Sequence, residues 1–289
     1  MKYPPSECSR TLFVRSLAIA ATMPAALPAL ASGTDTDLQA LIKRFDDPAP
    51  KQQSAGLTGF ARSDRLRFPE WMEGEWEVHS RLLNTNAPLG RRLLPADLAR
   101  MRLGDMSTAG TPLDYTVRFT RRRGDNAIVS DRAANLRAVQ NAAAGFERVE
   151  QVTFDGLNSL NVVYSPFGPN GTYTGPSRAE IYINWRRQAD VGSRDVSDGG
   201  KFAFAEATRT VLLSSQRELS RISDAETLCC FERRSASEVA ARQRVLRYLT
   251  PNPNSAEGVL WSEARGRAVA MLDYELFLTR VRDAPPLGV

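Results

Sequence analysis

The clearest pattern in the chain is an alternation of apolar and polar residues with a period of two. Between residues 113 and 120, Leu, Tyr, Val and Phe alternate with Asp, Thr, Arg and Thr. Successive side chains of a strand point to opposite faces, so this pattern predicts a half-buried β-strand. Further strands are predicted after residue 71, at 128–132, 148–154, 160–164, 178–185, 202–213, 227–233, 242–249, 259–262 and 268–281.

Two segments have a helical pattern instead. Leu38, Leu41, Ile42 and Phe45 follow the spacing of one helix face, which predicts a short helix near the N-terminus. The alanine-rich segment 133–144 predicts a second helix that crosses between strands.

About ten antiparallel strands with one apolar face predict a mainly β fold. Because closure removes exposed strand edges, we expect a single antiparallel β-barrel, closed or nearly closed. The predicted organisation places the N-terminal helix and a linker at residues 32–67, the barrel at 68–282 and a tail at 283–289.

The strand that opens the predicted barrel begins with a Gly-x-Trp sequence at Gly74 and Trp76, as in lipocalin-like barrels. In the last strand, Arg280 is in phase with an apolar row. In the lipocalin-like barrels that this opening resembles, an arginine of a late strand commonly lies across the tryptophan. The resemblance therefore implies that the guanidinium of Arg280 lies over the ring of Trp76 and closes the barrel floor. The alternative is that Arg280 lies just beyond the core, in solvent.

The N-terminus has the features of an export signal. Arg10 and Arg15 precede a short apolar stretch that is broken by two prolines and ends in Ala29-Leu30-Ala31. A membrane span needs about 20 apolar residues, so a cleaved signal over residues 1–31 is the better interpretation. The mature chain is then expected to have no transmembrane anchor.

The charge of the chain gives little support for nucleic-acid binding. The net charge is +5, and removal of residues 1–31 takes away three basic residues and one acidic residue. The tight basic clusters 121–123 and 186–187 have no interleaved aromatic residues of the kind that stack on bases. We interpret both clusters as solvated strand ends.

The residues that could carry chemistry are few. His79 is the one histidine of the chain, and its strand position directs it outward. Cys229 and Cys230 are adjacent, which is unfavourable for a disulfide, so we expect two free thiols on opposite faces, with a vicinal redox switch as the alternative. The acidic residues within the strands are expected to pair with arginines. The sequence therefore predicts no catalytic residue, no metal ligand and no cofactor.

Several short motifs together resemble an uncharacterised domain family of cyanobacteria and of algal and plant plastids. They are Phe68-Pro-x-Trp-Met-x-Gly-x-Trp76, Ala87-Pro-Leu-Gly-Arg91, Asp131-Arg-x-x-Asn135, Tyr248-Leu-Thr-Pro-Asn-Pro253 and Arg267-Ala-Val-Ala-x-x-Asp-Tyr274. The resemblance implies a calycin-like barrel and, with the leader, a thylakoid-lumen protein of a photosynthetic cell. Its leader is short for a two-part lumen signal, so secretion or periplasmic export is the alternative. The resemblance supplies no activity.

These patterns favour a non-catalytic barrel that holds a small apolar molecule, such as a lipid or pigment. The expected lining consists of Trp76, Tyr115, Val117, Trp185, Tyr274, Leu276 and Arg280. The alternative is an assembly or repair factor that contacts photosynthetic membrane complexes through its surface, including the Asn252-Pro253 loop. An isomerase-like enzyme is a third hypothesis.

Overall fold

The computed structural model describes residues 35–52, 65–94, 98, 112–154, 158–191, 200–214, 221–251 and 256–282. Three helices are described over their full length within these ranges: α1 (Asp35–Asp46), α2 (Arg132–Ala144) and α3 (Ala256–Ala264). The strands are β1 (Gly74–Asn86), β2 (Leu113–Arg121), β3 (Ile128–Ser130), β4 (Val149–Phe154), β5 (Ser159–Tyr164), β6 (Ser177–Val191), β7 (Lys201–Ser214), β8 (Arg221–Arg233), β9 (Glu238–Tyr248) and β10 (Ala270–Arg282). Short 3-10 turns lie at Glu70–Met72 and Arg91–Leu93.

All ten strands form one antiparallel sheet in the order β3-β2-β1-β10-β9-β8-β7-β6-β5-β4. The long strands at the centre of the sheet are β1, β10, β9, β8, β7 and β6. Each pairs with its neighbours along most of its length. The sheet curls around a large apolar cluster on its inner face. The predicted mainly β, antiparallel, ten-stranded architecture is confirmed.

The predicted closure of the barrel is wrong. The edge strands β3 and β4 do not pair with each other, so the sheet remains an open, half-barrel structure. The chain between these two strands forms α2, which packs against both β2 and β4. A helix that joins two edges occupies the place where closing hydrogen bonds would form, and it covers the edges by side-chain packing instead.

Helix α2 has well-defined ends and is tied to the sheet by one side chain. The carboxylate of Asp131 accepts a hydrogen bond from the amide of Ala134, and Gly145 ends the helix at a φ of 75°. Asn135 accepts a hydrogen bond from the amide of Arg118 at 2.7 Å and donates to the carbonyl of Arg118 at 2.9 Å. It also donates to the hydroxyl of Ser130 at 2.8 Å. The Asp-Arg-x-x-Asn motif therefore caps α2 and fixes it to β2.

The apolar core has an aromatic centre at one end of the curled sheet. Phe68 lies 4.7 Å from Phe119 and 5.1 Å from Phe202 between ring centroids. Phe204 and Phe231 stack beside them at 6.2 Å. Phe68 also forms a β-bridge with Ile128 of the edge strand β3. The segment before β1 therefore joins the core and partly satisfies a free strand edge.

Helix α1 packs on the outer face of the sheet, against β6, β7 and β8. Its apolar side chains Leu38, Leu41 and Phe45 belong to one apolar cluster with Ala203 and Ala205, which are fully buried. Small alanine side chains on the strand allow the helix to approach the sheet closely. The N-terminal helix predicted from the 3.6-residue period is confirmed.

Two local predictions need correction. Residues 259–262 are not a strand, because they lie within α3, whose sequence includes the strong helix formers Ala, Glu and Leu. Trp185 does not share a face with Ile183, because a β-bulge between these residues shifts the register. The bulge directs Trp185 to the outer face, where it packs in the α1 cluster.

The predicted signal at 1–31, the Asn252-Pro253 loop and the tail at 283–289 lie outside the described residues, as does most of the predicted linker.

Replacement of Asn135 by Ala is expected to destabilise the fold. The change removes three hydrogen bonds and leaves both backbone groups of Arg118 without that partner, so we expect a loss of about 3 kcal/mol in the free energy of unfolding, measured by urea denaturation. The exposed Asn84 of β1 provides a control, and Asn84→Ala should cost less than about 0.5 kcal/mol. Equal effects of the two changes would contradict the role assigned to Asn135.

Candidate functional site

The predicted contact between Arg280 and Trp76 is present. The guanidinium of Arg280 lies 4.5 Å from the centroid of the Trp76 ring, and Trp76 is fully buried. Arg280 also donates hydrogen bonds to the carbonyls of Trp71 at 2.9 Å, of Ala236 at 3.2 Å, and of Glu73. The indole nitrogen of Trp76 donates to the carbonyl of Met72 at 2.8 Å. These contacts fix the turn at Glu70–Met72 against one end of the sheet, so Arg280 has a structural role there.

The other predicted lining residues divide between the two faces of the sheet. Tyr115, Val117, Tyr274 and Leu276 lie in the inner apolar cluster with Trp76. Trp185 lies on the outer face, as described above. The predicted inward orientation is therefore correct for the residues of regular strands and wrong for Trp185, which follows the bulge.

A cavity of about 30 Å³ lies among these inner residues, beside Tyr115, Val117 and Leu276. This volume has room for about one or two water molecules. Aromatic and aliphatic side chains fill the surrounding space, including Phe68, Phe119, Phe204 and Phe231. The inner face around the predicted lining is therefore a packed core, and a lipid or pigment would have to displace it.

The histidine and the two cysteines occupy surroundings of low reactivity. His79 is exposed and lies 2.7 Å from the carboxylate of Asp114 through its Nδ1 atom. Cys229 lies in the inner cluster and Cys230 in the outer one, and both thiols are free, as predicted. Burial raises the pKa of Cys229 well above its usual value and raises that of Cys230 to about 11. Both thiols are therefore protonated at neutral pH, which makes them weak nucleophiles.

A larger space lies on the outer face of the sheet. It is a groove of about 610 Å³ beside α1, and we call it the outer groove. Its apolar lining includes Leu38, Ile42 and Phe45 of the helix and Ala240 and Phe277 of the outer face. At one end of the strands the lining also includes residues of the inner cluster, namely Phe202, Phe231, Val239, Ala241 and Leu278. Phe277 is 48% exposed, although it is large and apolar. The volume is in the range of sites that hold small organic molecules.

Charged residues surround the apolar part of the outer groove. They include Asp46, Lys201, Glu232, Arg234, Glu238, Arg242 and Glu275. The guanidinium of Arg242 lies 5.0 Å from the centroid of the Phe45 ring, which places a cation directly above an apolar wall. The groove therefore offers an apolar surface together with charges of both signs, a combination that suits an amphipathic molecule.

A second unusual feature is a group of arginines inside the fold, between α2 and strand β6. Glu206 is fully buried and accepts hydrogen bonds from Arg132 at 3.0 and 2.5 Å and from Arg186 at 2.9 Å. Close by, Arg122 donates to Asp125 at 2.7 Å through its Nε atom. Arg122 and Arg186 are only 8% and 7% exposed. We call Arg65, Arg122, Arg132 and Arg186 the arginine cluster.

The interpretation of the two basic runs as solvated strand ends is therefore wrong for one residue in each. Arg122 belongs to the run 121–123 and Arg186 to the run 186–187, and both side chains are buried. The same bulge that moves Trp185 outward also brings Arg186 opposite Glu206. Glu206, by contrast, pairs with arginines as predicted. A carboxylate among the apolar residues of β7 was the sequence signal that pointed to buried cations.

These features define a mainly β protein with a packed interior, an outer groove and buried ion pairs. The chain belongs to the family described as Domain of unknown function (DUF6816), which matches residues 59–282. No curated protein and no solved structure matches the chain.

Among the described residues, no helix is long and apolar enough to cross a membrane. No group of three or more His, Cys, Asp or Glu side chains within the described ranges could hold a metal ion.

Replacement of Arg280 by Lys is expected to destabilise the end of the sheet at which Arg280 packs on Trp76. Lysine keeps the charge but loses the planar fork that contacts three carbonyls and the indole ring, so the free energy of unfolding should fall by about 2 kcal/mol. Urea denaturation followed by tryptophan fluorescence measures the effect. Arg282→Lys, two residues further along the same strand at an exposed position, should change it little. A mutant as stable as the control would contradict the structural role of Arg280.

The thiols are expected to react slowly with alkylating reagents in the folded protein. Because a raised pKa keeps the thiol protonated below that pKa, Cys230 should react with iodoacetamide at a rate that increases up to about pH 11. Cys229 should react only after denaturation, since it is buried in the core. Mass spectrometry of Cys230→Ser protein separates the two sites, and rapid labelling of Cys229 at neutral pH would contradict this assignment.

Proposed function

We propose that the protein is a non-catalytic binding protein that holds a small amphipathic molecule, such as a lipid or pigment, in the outer groove. The observation that carries the proposal is the contrast in volume between the outer groove, about 610 Å³, and the inner cavity, about 30 Å³. The ligand expected from the sequence was a small apolar molecule, such as a lipid or pigment, inside the barrel. The proposal moves the ligand to the outer face and gives it a polar end.

The lining of the outer groove supports an apolar ligand with a polar end. Ile42, Ala240 and Phe277 provide apolar contact, and Phe277 is nearly half exposed. Burial of such surface contributes about 25 cal/mol per Å². Arg242 and Lys201 provide cations at the edge of the groove that suit an acidic headgroup.

The chemistry of the reactive side chains supports binding over catalysis. Both thiols are protonated at neutral pH because burial raises their pKa values. The side chains of His79 and Asp114 are 49% and 67% exposed, so their hydrogen bond lies in water on the outer surface. General acid–base catalysis usually depends on a pair held in a protected site.

We further propose that the protein is exported to the thylakoid lumen, with secretion or periplasmic export as the alternative. The support is the leader with its Arg10 and Arg15, its short apolar stretch and its Ala29-Leu30-Ala31 end. A distant relationship to lipocalin-like barrels is part of the same proposal. It is supported by the Trp76–Arg280 contact at one end of the sheet.

An assembly or repair factor is the second candidate, and a surface feature favours it. Phe167 and Tyr173 pack edge to face at 5.7 Å in the connection between β5 and β6, and they are 49% and 65% exposed. Exposed aromatic pairs of this kind are typical anchors of protein interfaces. Loss of a co-purifying complex in a Phe167→Ala, Tyr173→Ala double variant would favour this candidate.

The carrier proposal is tested by native mass spectrometry and organic extraction of protein purified from its own cells. We expect one small amphipathic molecule per chain. Ala240→Trp places a large side chain in the outer groove and should abolish the bound mass. Val163→Trp, at an exposed position of β5, adds the same side chain elsewhere and should leave the ligand bound. An empty wild-type protein, or equal ligand content in both variants, would contradict the proposal.

A further inference from the structure

The arginine cluster contains more positive charge than the neighbouring carboxylates neutralise. Arg132 and Arg186 share Glu206, and Arg122 pairs with Asp125. Arg65 lies beside them, where the charges of Arg122 and Arg186 act on it. Within the described part of the chain, these four guanidinium groups share two carboxylates. Arg67, whose side chain is 53% exposed, also contacts Asp125 at 3.5 Å, so at least two positive charges are left in a largely buried space.

Several donor atoms of the cluster are buried without a hydrogen-bond partner. These atoms are Nη1 and Nη2 of Arg65, Nη1 of Arg122, Nε of Arg132 and Nη2 of Arg186. Arg132 is 1% exposed, and Arg122 and Arg186 are less than one-tenth exposed. Buried charged donors nearly always have partners in folded proteins. Five such atoms on four neighbouring side chains indicate that a partner of opposite charge belongs between them.

The electrostatics of the cluster agree with this interpretation. Burial lowers the pKa of Arg65 to about 10, and the nearby cations Arg122 and Arg186 lower it further than the carboxylate of Asp125 raises it. Burial likewise lowers the pKa of Arg132 to about 9, and Arg186 opposes the attraction of Glu206. With pKa values of about 10 and about 9, Arg65 and Arg132 are still cationic at neutral pH. An anion would relieve both the repulsion and the loss of hydration.

We infer that the arginine cluster is a binding site for a phosphate-type oxyanion, either free phosphate or the phosphate group of a small organic molecule. A guanidinium presents a planar fork of N–H groups that matches the oxygens of a phosphate, and a dianion balances the two excess charges. Arg65 is the partly exposed member, so it lies where the anion enters from the surface. None of the four arginines lines the outer groove, so the two proposed sites are separate.

The test is titration calorimetry of the purified full chain with inorganic phosphate at constant ionic strength. The wild-type protein should bind one phosphate and should bind acetate at least about tenfold more weakly, because acetate carries one charge. Arg65→Gln should weaken phosphate binding about 10- to 100-fold, through loss of a charged hydrogen-bonding group. Arg123→Gln removes the same charge from an exposed position next to the cluster and should bind phosphate as the wild type does.

Thermal unfolding separates a binding role of Arg65 from a structural one. In chloride buffer without phosphate, Arg65→Gln should unfold at the wild-type temperature or higher, because the change removes an unpaired buried cation. Added phosphate should raise the unfolding temperature of the wild type and not that of Arg65→Gln.

A glycerol phosphate that binds as tightly as phosphate would identify an organic ligand, and binding of phosphate alone would identify the free ion. The inference fails if phosphate does not bind, if acetate equals it, or if Arg65→Gln and Arg123→Gln bind it alike.

Discussion

The structure depends on how the two free edges of one curled sheet are held. Strands β3 and β4 end the sheet at opposite sides, and neither finds a strand partner across the gap. Helix α2 fills the gap, and its first residue, Arg132, forms a paired hydrogen bond with Glu206 inside the fold. Removal of one member of such a buried pair commonly costs 3–5 kcal/mol, because the other charge is left without a partner. The ion pair thus specifies where the helix docks.

The two faces of the curled sheet differ in how fully they are covered. Around Trp76 and the phenylalanines, the inner face is filled by side chains and gives rigidity. The outer face supports α1, which covers β6, β7 and β8 but leaves an apolar groove over β9 and β10. The closing helix brings buried cations together on the inner side. The two proposed binding sites, the outer groove and the arginine cluster, therefore lie on different parts of one packed frame.

The sequence predicted much of this fold, and the failures have physical causes. Period-two alternation located most strands, and the Gly-x-Trp opening with Arg280 in phase predicted a contact that the structure contains. The bulge in β6 could not be predicted from the period-two pattern. One extra residue in a strand moves every later side chain of that strand to the opposite face of the sheet. For that reason Trp185 was placed inside and Arg186 was left in solvent. The position of α2 between the two edge strands was not predicted. The number of predicted strands does not show whether the two edges of a sheet pair with each other or are separated by a helix.

The most direct test of this account is native-state hydrogen exchange of α2 and β7 in the wild type and in Glu206→Gln. If the ion pair holds the closing helix, the amides of α2 in the wild type should exchange at the same opening free energy as those of β7. In Glu206→Gln, the amides of α2 should exchange through a separate opening of lower free energy while β7 remains protected. Independent opening of α2 already in the wild type, or no change in the variant, would contradict the claim that the Arg132–Glu206 pair holds the sheet edges together.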